Sequence, residues 1–502
     1  MEPPASNFRV IIVGGAVAGL TLAHSLLRNN IDFVVLESHS DIAPQVGASI
    51  GLAPNGSRIL DQLGLFDEIL DKVEPLRNTL VWSETGKSIN KAEAPRILHE
   101  RHGYPLAFLD RQTVLQIMYE RLGDRQDRVL TNKKVARMEH RPEGVVVHCA
   151  DNSVFEGHVV VGADGVRSAV RQHMWDHMEA RGLIQEAREE RAAMTAEYNC
   201  VFGISTPTPG LHAGTLHRTY ADGYSFITIA SKDSRVYWFF FRKMDKKYAA
   251  SEIPRLDHID MDKHVAAFLD KPVAQSVPFA AVYERSVSRN LVPMEEAFYK
   301  HWCIDRLVCI GDSAHKMTAN MGMGANCAIE GAASLANTLA KVVHDSPTNA
   351  VSVEDIHRAL KGWEAKRKPR LEEICRSANG LTRIEALATW KERLIALYVL
   401  PYLGKFLINQ ASASVVEAAK LDCEPLPVRS LQCTMPYVSE DDSDKQDGVL
   451  KRMLWATRLR FRELKWVPAI AGLGVLTWVV GPGAAFVLGW REELLHWMSV
   501  RE

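Results

Sequence analysis

Residues 9–13 read RVIIV, an apolar, β-branched run that ends in Gly14 and Gly15, the pattern of a buried strand entering a tight turn. Apolar positions from Leu20 to Leu27 then recur at helical spacing, and Phe33 to Glu37 is a second strand-like run, so the chain opens as a βαβ unit. Residues 143–149 and 154–161 alternate or run β-branched around a turn at 150–153, which predicts a hairpin whose second strand leads to Gly162. Between 197 and 242, strand-like pieces that include 224–230 and 236–242 are separated by Gly and Asp turns and predict a separate sheet. Residues 307–310 return to the pattern of a buried strand, and 328–343 follows as a long helix of small residues. From Glu354 to about Lys420 the pattern is helical and partly charged; residues 439–448 are acidic and polar, as in a linker.

This order predicts an α/β chain whose nucleotide-type domain is discontinuous. Its parts fall at 8–80, 105–175 and 291–345, with a sheet domain at 180–290, a helical region at 346–436 and a linker at 437–450. With 502 residues, 47% hydrophobic and 24% charged, the chain has ordinary globular composition. Its 60 Lys and Arg balance 61 Asp and Glu, which leaves no basic excess for a phosphate backbone and argues against nucleic acid as a partner. The cysteines Cys149, Cys200, Cys303, Cys309, Cys327, Cys375, Cys423 and Cys433 are scattered without metal-type spacing and read as reduced thiols; no metal is expected.

Residues 1–7 show no secretory signal pattern. Residues 467–489 carry no charge, lie between Trp466 and Trp490, and exceed the roughly 20 residues that cross a bilayer as a helix. Lys451, Arg452, Arg458, Arg460, Arg462 and Lys465 precede them, against Arg491 and Arg501 after, which predicts a C-terminal membrane anchor with the long N-terminal part cytoplasmic. The other reading is a buried or re-entrant hairpin broken at Gly481, Pro482 and Gly483.

Three turns carry the candidate chemistry. In VIIVGGAVAGL, residues 10–20, Gly14, Ala16 and Gly19 stand where a dinucleotide fingerprint has GxGxxG, with Gly15 beside them. Glycine at the middle position admits a pyrophosphate, and alanine is its smallest substitute, so the helix N-terminus still offers N–H groups. Glu37, closing the second strand, is placed to accept hydrogen bonds from a ribose, although the same turn also arises where a helix merely packs close on a strand. The second turn, in VVVGADGVRSAVR at 159–171, puts Asp164 and Gly165 between strand and helix. In the third, LVCIGDSAHKMTANMGMGAN at 307–326, Asp312 ends a buried strand and Gly322 and Gly324 precede a helix. A carboxylate there can hold a ribose or ribityl hydroxyl, and the helix N-terminus can stabilise negative charge on a reduced ring.

In this combination and order the turns resemble the fingerprints of the FAD-dependent, aromatic-hydroxylase-like (class A) monooxygenases: GxGxxG, a DG motif and a GD motif, over about residues 8–370. GGAVAGLTLAH, EYNCVFGIS, GDSAHKMTANMGMGAN and the hydrophobic C-terminus are further similar to the fungal monooxygenases of meroterpenoid and indole-diterpene pathways. The resemblance implies a Rossmann-like FAD-binding domain of the glutathione-reductase type with an inserted β-sheet substrate domain, C-terminal helices and a transmembrane helix. It implies FAD as resident cofactor and NADPH as a transient reductant, with 164–167 a candidate docking turn. By the same resemblance Glu37 binds the adenosine ribose, Arg111 in LDRQTVLQIMYERL contacts the cofactor, and Asp312 holds its ribityl-pyrophosphate region. Gly51 and Ala325 line the flavin. Ala16 and Ala319 depart from the family's glycine and proline, and Arg111 read alone is an exposed arginine at a helix start after Asp110.

The resemblance implies an enzyme that passes one oxygen of O2 to an alkene of a prenyl chain, so that a membrane cyclase can fold the epoxide into rings. A hydrophobic prenylated substrate, O2, the endoplasmic reticulum membrane and such a cyclase are the partners it implies. Tyr224, in DGYSFITIA, is selected as the catalytic polar-tipped aromatic, against its reading as a core aromatic alternating with Phe226. His315 reads as structural. The alternatives are hydroxylation of a phenol, or a prenyl-binding module without catalysis on the same fold.

Overall fold

The computed structural model describes residues 8–45, 49–256, 258–346, 351–435 and 437. Arg9–Val13 lies inside a six-stranded sheet, where Val10 pairs in parallel with Val159 on one side and Phe33 on the other. Across that sheet the order is 303–304, 307–309, 159–162, 9–13, 32–36, 129–130, and only the 303–304 edge is antiparallel. A parallel sheet is covered on both faces, which is why these strands are continuous apolar runs; Val10, Ile11 and Ile12 are fully buried. The helices Val17–Arg28 and Gly324–His344 lie against each other beside it, so the first and third turns open side by side. The expected hairpin forms from Val145–Cys149 and Val154–Gly157, and after His158 the chain enters the main sheet at Val159.

The second sheet has eight strands, in the order 315–316, 286–298, 195–205, 236–249, 224–230, 215–221, 78–83, 88–92. It differs from the predicted domain division at two places. Asn78–Ser83 and Ser88–Ala92 belong to it, because Asn78–Ser83 pairs in parallel with Thr215–Ala221. Strand Ser286–Phe298 runs across the expected boundary at 290 and pairs along Thr195–Ser205. Both corrections have one cause: a strand's own alternation does not record which distant segment it pairs with.

Each face of this sheet carries a packed cluster. Tyr224, Phe226, Trp238 and Phe240 lie on one face; Ile227, Ile229, Tyr237 and Phe241 lie on the other. The helix Val353–Glu385 ties the two sheets, with Trp363 against Trp302 near one end and Glu385 beside Arg218 at the other. Among the described residues no single helix is long and apolar enough to cross a membrane. The segment 467–489 lies outside the described residues, as do most of the expected linker 437–450 and residues 1–7.

Candidate functional site

The three turns line one cavity of about 780 Å³, within the range of ligand clefts. At the first, Gly14 has φ of 104°, and a Cβ there would stand 2.5 Å from the Ala163 carbonyl oxygen. Only glycine fits, and this contact brings the first turn onto the second. Gly15 and Ala16 also face the cavity, at the N-terminus of Val17–Arg28. Gly19 does not: its missing side chain makes room for the Gly14 carbonyl, so it serves helix-to-turn packing.

Glu37 sits at the cavity wall and accepts hydrogen bonds from the Gly15 amide at 2.7 Å and from the His39 amide at 2.9 Å and ring Nδ1 at 2.7 Å. Burial pushes its carboxyl up, but these hydrogen bonds outweigh burial and hold it below the ordinary glutamate value. It is therefore ionised, and it braces the first turn while keeping acceptor capacity for a diol.

Strand Ser49–Leu52 pairs antiparallel with Ala107–Asp110, opposing Gly51 to Phe108, whose ring would collide with a Cβ at Gly51. The next residue, Arg111, begins the helix Arg111–Glu120 and lines the cavity half-buried, without a hydrogen bond to any described residue. Burial lowers its pKa, with the charges of Asp312 and Glu37 opposing. A desolvated guanidinium without a hydrogen-bond partner is suited to an anionic ligand.

Asp164 lines the cavity, but its carboxylate caps the helix Ala169–Ala180, accepting hydrogen bonds from the Ser168 hydroxyl at 2.5 Å and the Ala169 amide at 2.7 Å. Burial raises its pKa against those bonds. Arg167, exposed at the rim, makes no ion pair or hydrogen bond with any described residue. At the third turn, Asp312 pairs with Lys316 at 2.5 Å, and Gly322, with φ of 64°, leads into Gly324–His344. Gly322, Gly324 and Ala325 all face the cavity. Buried Asn326 locks this turn to the Gly51 strand: its amide donates to the Gly51 and Gly322 carbonyls, both at 2.9 Å, and accepts from the Ala53 amide.

Tyr224 is not part of this site. It packs against Phe226, Phe240 and Phe268 on the far face of the second sheet, whereas Ile227 is the residue of its strand that lines the cavity. Side chains alternate along a strand, and the tyrosine is out of phase with the cavity face. His315 is buried outside the lining, beside Trp302, with its pKa pushed down to about 4 by burial.

The sheet wall consists of Leu216, Ile227, Phe239 and Met294 around Arg218. Arg218 forms an ion pair with buried Glu385 and donates to the Asn320 carbonyl at 3.0 Å, while the Asn320 side-chain amide donates to Glu385 at 2.5 Å. Burial raises the Glu385 carboxyl, with Arg218 opposing. Sequence reasoning passed over Arg218; its signal was a charge inside the strand TLHRTYA, on the face shared by Leu216 and Tyr220. Asn320, Asn326 and Lys316 lay inside the third motif without being singled out.

The turns thus offer backbone amides at two helix N-termini, Arg111 as a cation, Glu37 as an ionised acceptor and glycine cradles that a Cβ would fill. That donor set fits an elongated dinucleotide with an anionic centre, and FAD is such a molecule. Outside the lining, His140, His177 and Asp305 have metal-ligand spacing, but Asp305 is already engaged by His177 at 2.8 Å and by both bonds of Arg181.

Residues 7–351 match the model of a family described as FAD binding domain. Over 422 residues, 83% of this chain and 84% of the relative, the chain is 42% identical to the FAD-dependent monooxygenase cle3 of Aspergillus versicolor. It is 40% identical to the FAD-dependent monooxygenase spyC of Aspergillus fumigatus over 86% of this chain and 90% of that one. HpxO of Klebsiella pneumoniae, complexed with FAD and uric acid, superposes with a TM-score of 0.65 over 85% of this chain and all of the other, at 20% identity, which is a likeness of fold.

Proposed function

Because the chain belongs to the FAD binding domain family, as an FAD-dependent monooxygenase of fungal secondary metabolism, we propose that it uses NADPH and O2 to epoxidise an alkene. The alkene belongs to the prenyl chain of a meroterpenoid or indole-diterpene intermediate, ahead of cyclisation. One observation supports this over phenol hydroxylation. Among the described residues of this sheet, only Arg218 and Lys316 bring titratable side chains to the cavity lining, and their charges are already answered by Glu385 and Asp312. A phenol hydroxylase needs a group that favours phenolate, whereas an electron-rich alkene asks only for an apolar, water-excluding surface.

Bound FAD supplies the redox chemistry that activates O2. The chain's residues do the rest. Gly14 and Gly15 admit the pyrophosphate, Glu37 accepts from the ribose, Arg111 and the amides of Gly324 and Ala325 face negative charge, and Asp312 is oriented by Lys316. Leu216, Ile227, Phe239 and Met294 exclude water and fix the alkene relative to the third turn. NADPH docks transiently at 164–167, where Arg167 is exposed. Segment 467–489 anchors the chain in the endoplasmic reticulum with the catalytic part on the cytoplasmic side; resistance to carbonate extraction tests that placement.

The decisive experiment incubates microsomes containing the protein with NADPH and candidate polyprenyl substrates. A product heavier by one oxygen that carries an oxirane, or the diol derived from it, is expected. A new phenolic hydroxyl instead would establish aromatic hydroxylation.

A further inference from the structure

After the long helix the chain turns at Thr389 and runs helically from Trp390 through Tyr402. Its inner side is ordinary core: Ile395 and Ala396 are buried with Ile384, Leu387, Val81 and Tyr220. On its outer side Trp390, Leu394, Tyr398 and Tyr402 recur every fourth residue and are 72%, 37%, 70% and 78% exposed. That spacing makes one stripe along the helix. Three of its four members are Trp or Tyr, whose apolar body and polar tip suit the boundary between acyl chains and water. Lys391 and Arg393 are exposed on the same stretch, Arg393 in an ion pair with exposed Asp222, and Lys405 is exposed just beyond it, while the stretch's acidic residue, Glu392, is buried against the Thr389 hydroxyl. The following helix, Gly404–Val416, leaves at 88°. The bend and the packed inner side leave Trp390–Tyr402 with one outward face, the form of an element that can lie on a surface.

We propose that Trp390–Tyr402 lies in the headgroup interface of a bilayer containing anionic lipid. Charge complementarity favours this occupant, because the exposed charges at the stripe, Lys391, Arg393 and Lys405 against Asp222, are cationic on balance. The length of chain beyond Tyr437 favours it as well: it carries the uncharged run 467–489 behind a basic stretch, so a bilayer held by that run is within tether reach of the stripe. Val81 and Tyr220, covered by the inner side of the helix, stand on the same strand faces as Thr79 and Arg218, one pleat from the cavity lining. Lipid contact here sets the edge of the cavity at the surface from which an apolar substrate arrives. This use of the stripe, though not the contact itself, rests on the prenyl substrate proposed above.

The test takes the full chain in phosphatidylcholine vesicles with and without phosphatidylserine, doped with a diazirine-bearing phosphatidylcholine, and maps photoadducts by peptide mass spectrometry. Adducts on the peptide carrying 390–402 are expected at several-fold the level found at exposed Ile184 or Val154, rising with phosphatidylserine. Combining Trp390→Ser, Tyr398→Ser and Tyr402→Ser should cut them several-fold while leaving bound flavin unchanged. Adducts confined to peptides beyond Tyr437, or unaffected by the triple substitution, overturn the proposal. Loss in the triple variant of a dimer that the parent forms also overturns it, since the stripe would then face a second copy. The readout is independent of turnover, so it stands or falls apart from the identity of the substrate.

Discussion

On the turn side of the cavity, Gly14, Gly165 and Gly322, all at positive φ, aim backbone groups at the ligand space; on the sheet side, Leu216, Ile227, Phe239 and Met294 present side chains to it. A backbone-built wall tolerates almost no change at its glycines, because the conformation itself is the binding surface. A side-chain wall tolerates substitution of similar volume, since what it provides is shape and dryness. The contrast separates the surface that holds the cofactor from the surface that shapes the rest of the cavity.

The largest effect expected is from Gly14→Ala. It strains a φ of 104° and sets a methyl 2.5 Å from the Ala163 oxygen, so the purified protein should lose more than about tenfold of its flavin absorbance. Gly362→Ala, at an exposed helical position outside the cavity with nothing within 4 Å, should keep its colour; equal losses at the two positions would break the distinction. On the sheet side, Arg218→Met leaves the Glu385 carboxylate buried without its cation, which should lower unfolding free energy by about 3–5 kcal/mol in a denaturant titration. Adding Glu385→Gln should restore most of that loss, a recovery that a purely steric role for Arg218 would not give.

Arg111→Met removes a half-buried turn-side cation that has no hydrogen-bond partner among the described residues. A charged hydrogen bond is worth about 1.5–3 kcal/mol, so FAD affinity should fall roughly 10- to 100-fold in a fluorescence titration of apoprotein, with alkene regioselectivity unchanged in the product. The two sides share one acid sensitivity. His315 behind the third turn and His217 behind the sheet wall are both pushed down to about 4 by burial, His217 accepting a 3.1 Å hydrogen bond from the Trp82 indole. Unfolded histidine titrates near 6.5, so the neutral native form contributes its full stability above that pH and loses it as pH falls toward 4. Thermal midpoints should drop across this window, and His315→Gln or His217→Gln should each flatten the profile. The smallest effect is from Tyr224→Phe, which should leave product formation and peroxide leakage at parental levels; a change in either would put the tyrosine back in the site.

The turn side was legible because its signals are local. A β-branched run, a glycine, a helix start and a carboxylate at a strand end sit within a few residues of one another, and a parallel strand pattern announces a covered sheet. Even there, the partners of Glu37 and Asp164 were not readable, since Asp164 is committed to a helix cap and Gly19 to packing. On the sheet side the phase was hidden. Every residue of Tyr224–Ala230 is buried, so no polar face tells which alternate side chains meet the cavity and which meet the aromatic cluster behind. Arg218 and Glu385 come from a strand and a helix end far apart in the chain, and neither identifies the other in advance.

Chemistry that depends on backbone conformation was therefore set by the amino-acid order alone: where the glycines break the strands, where the helices begin, and hence that a dinucleotide is held. Which side chains confront the substrate, which charges neutralise each other and which aromatics stay exposed at Trp390, Tyr398 and Tyr402 were decided by how two sheets and one long helix come together. Turn geometry is a property of a few consecutive residues, whereas burial, phase and ion pairing are relations between segments that only the folded chain brings within reach.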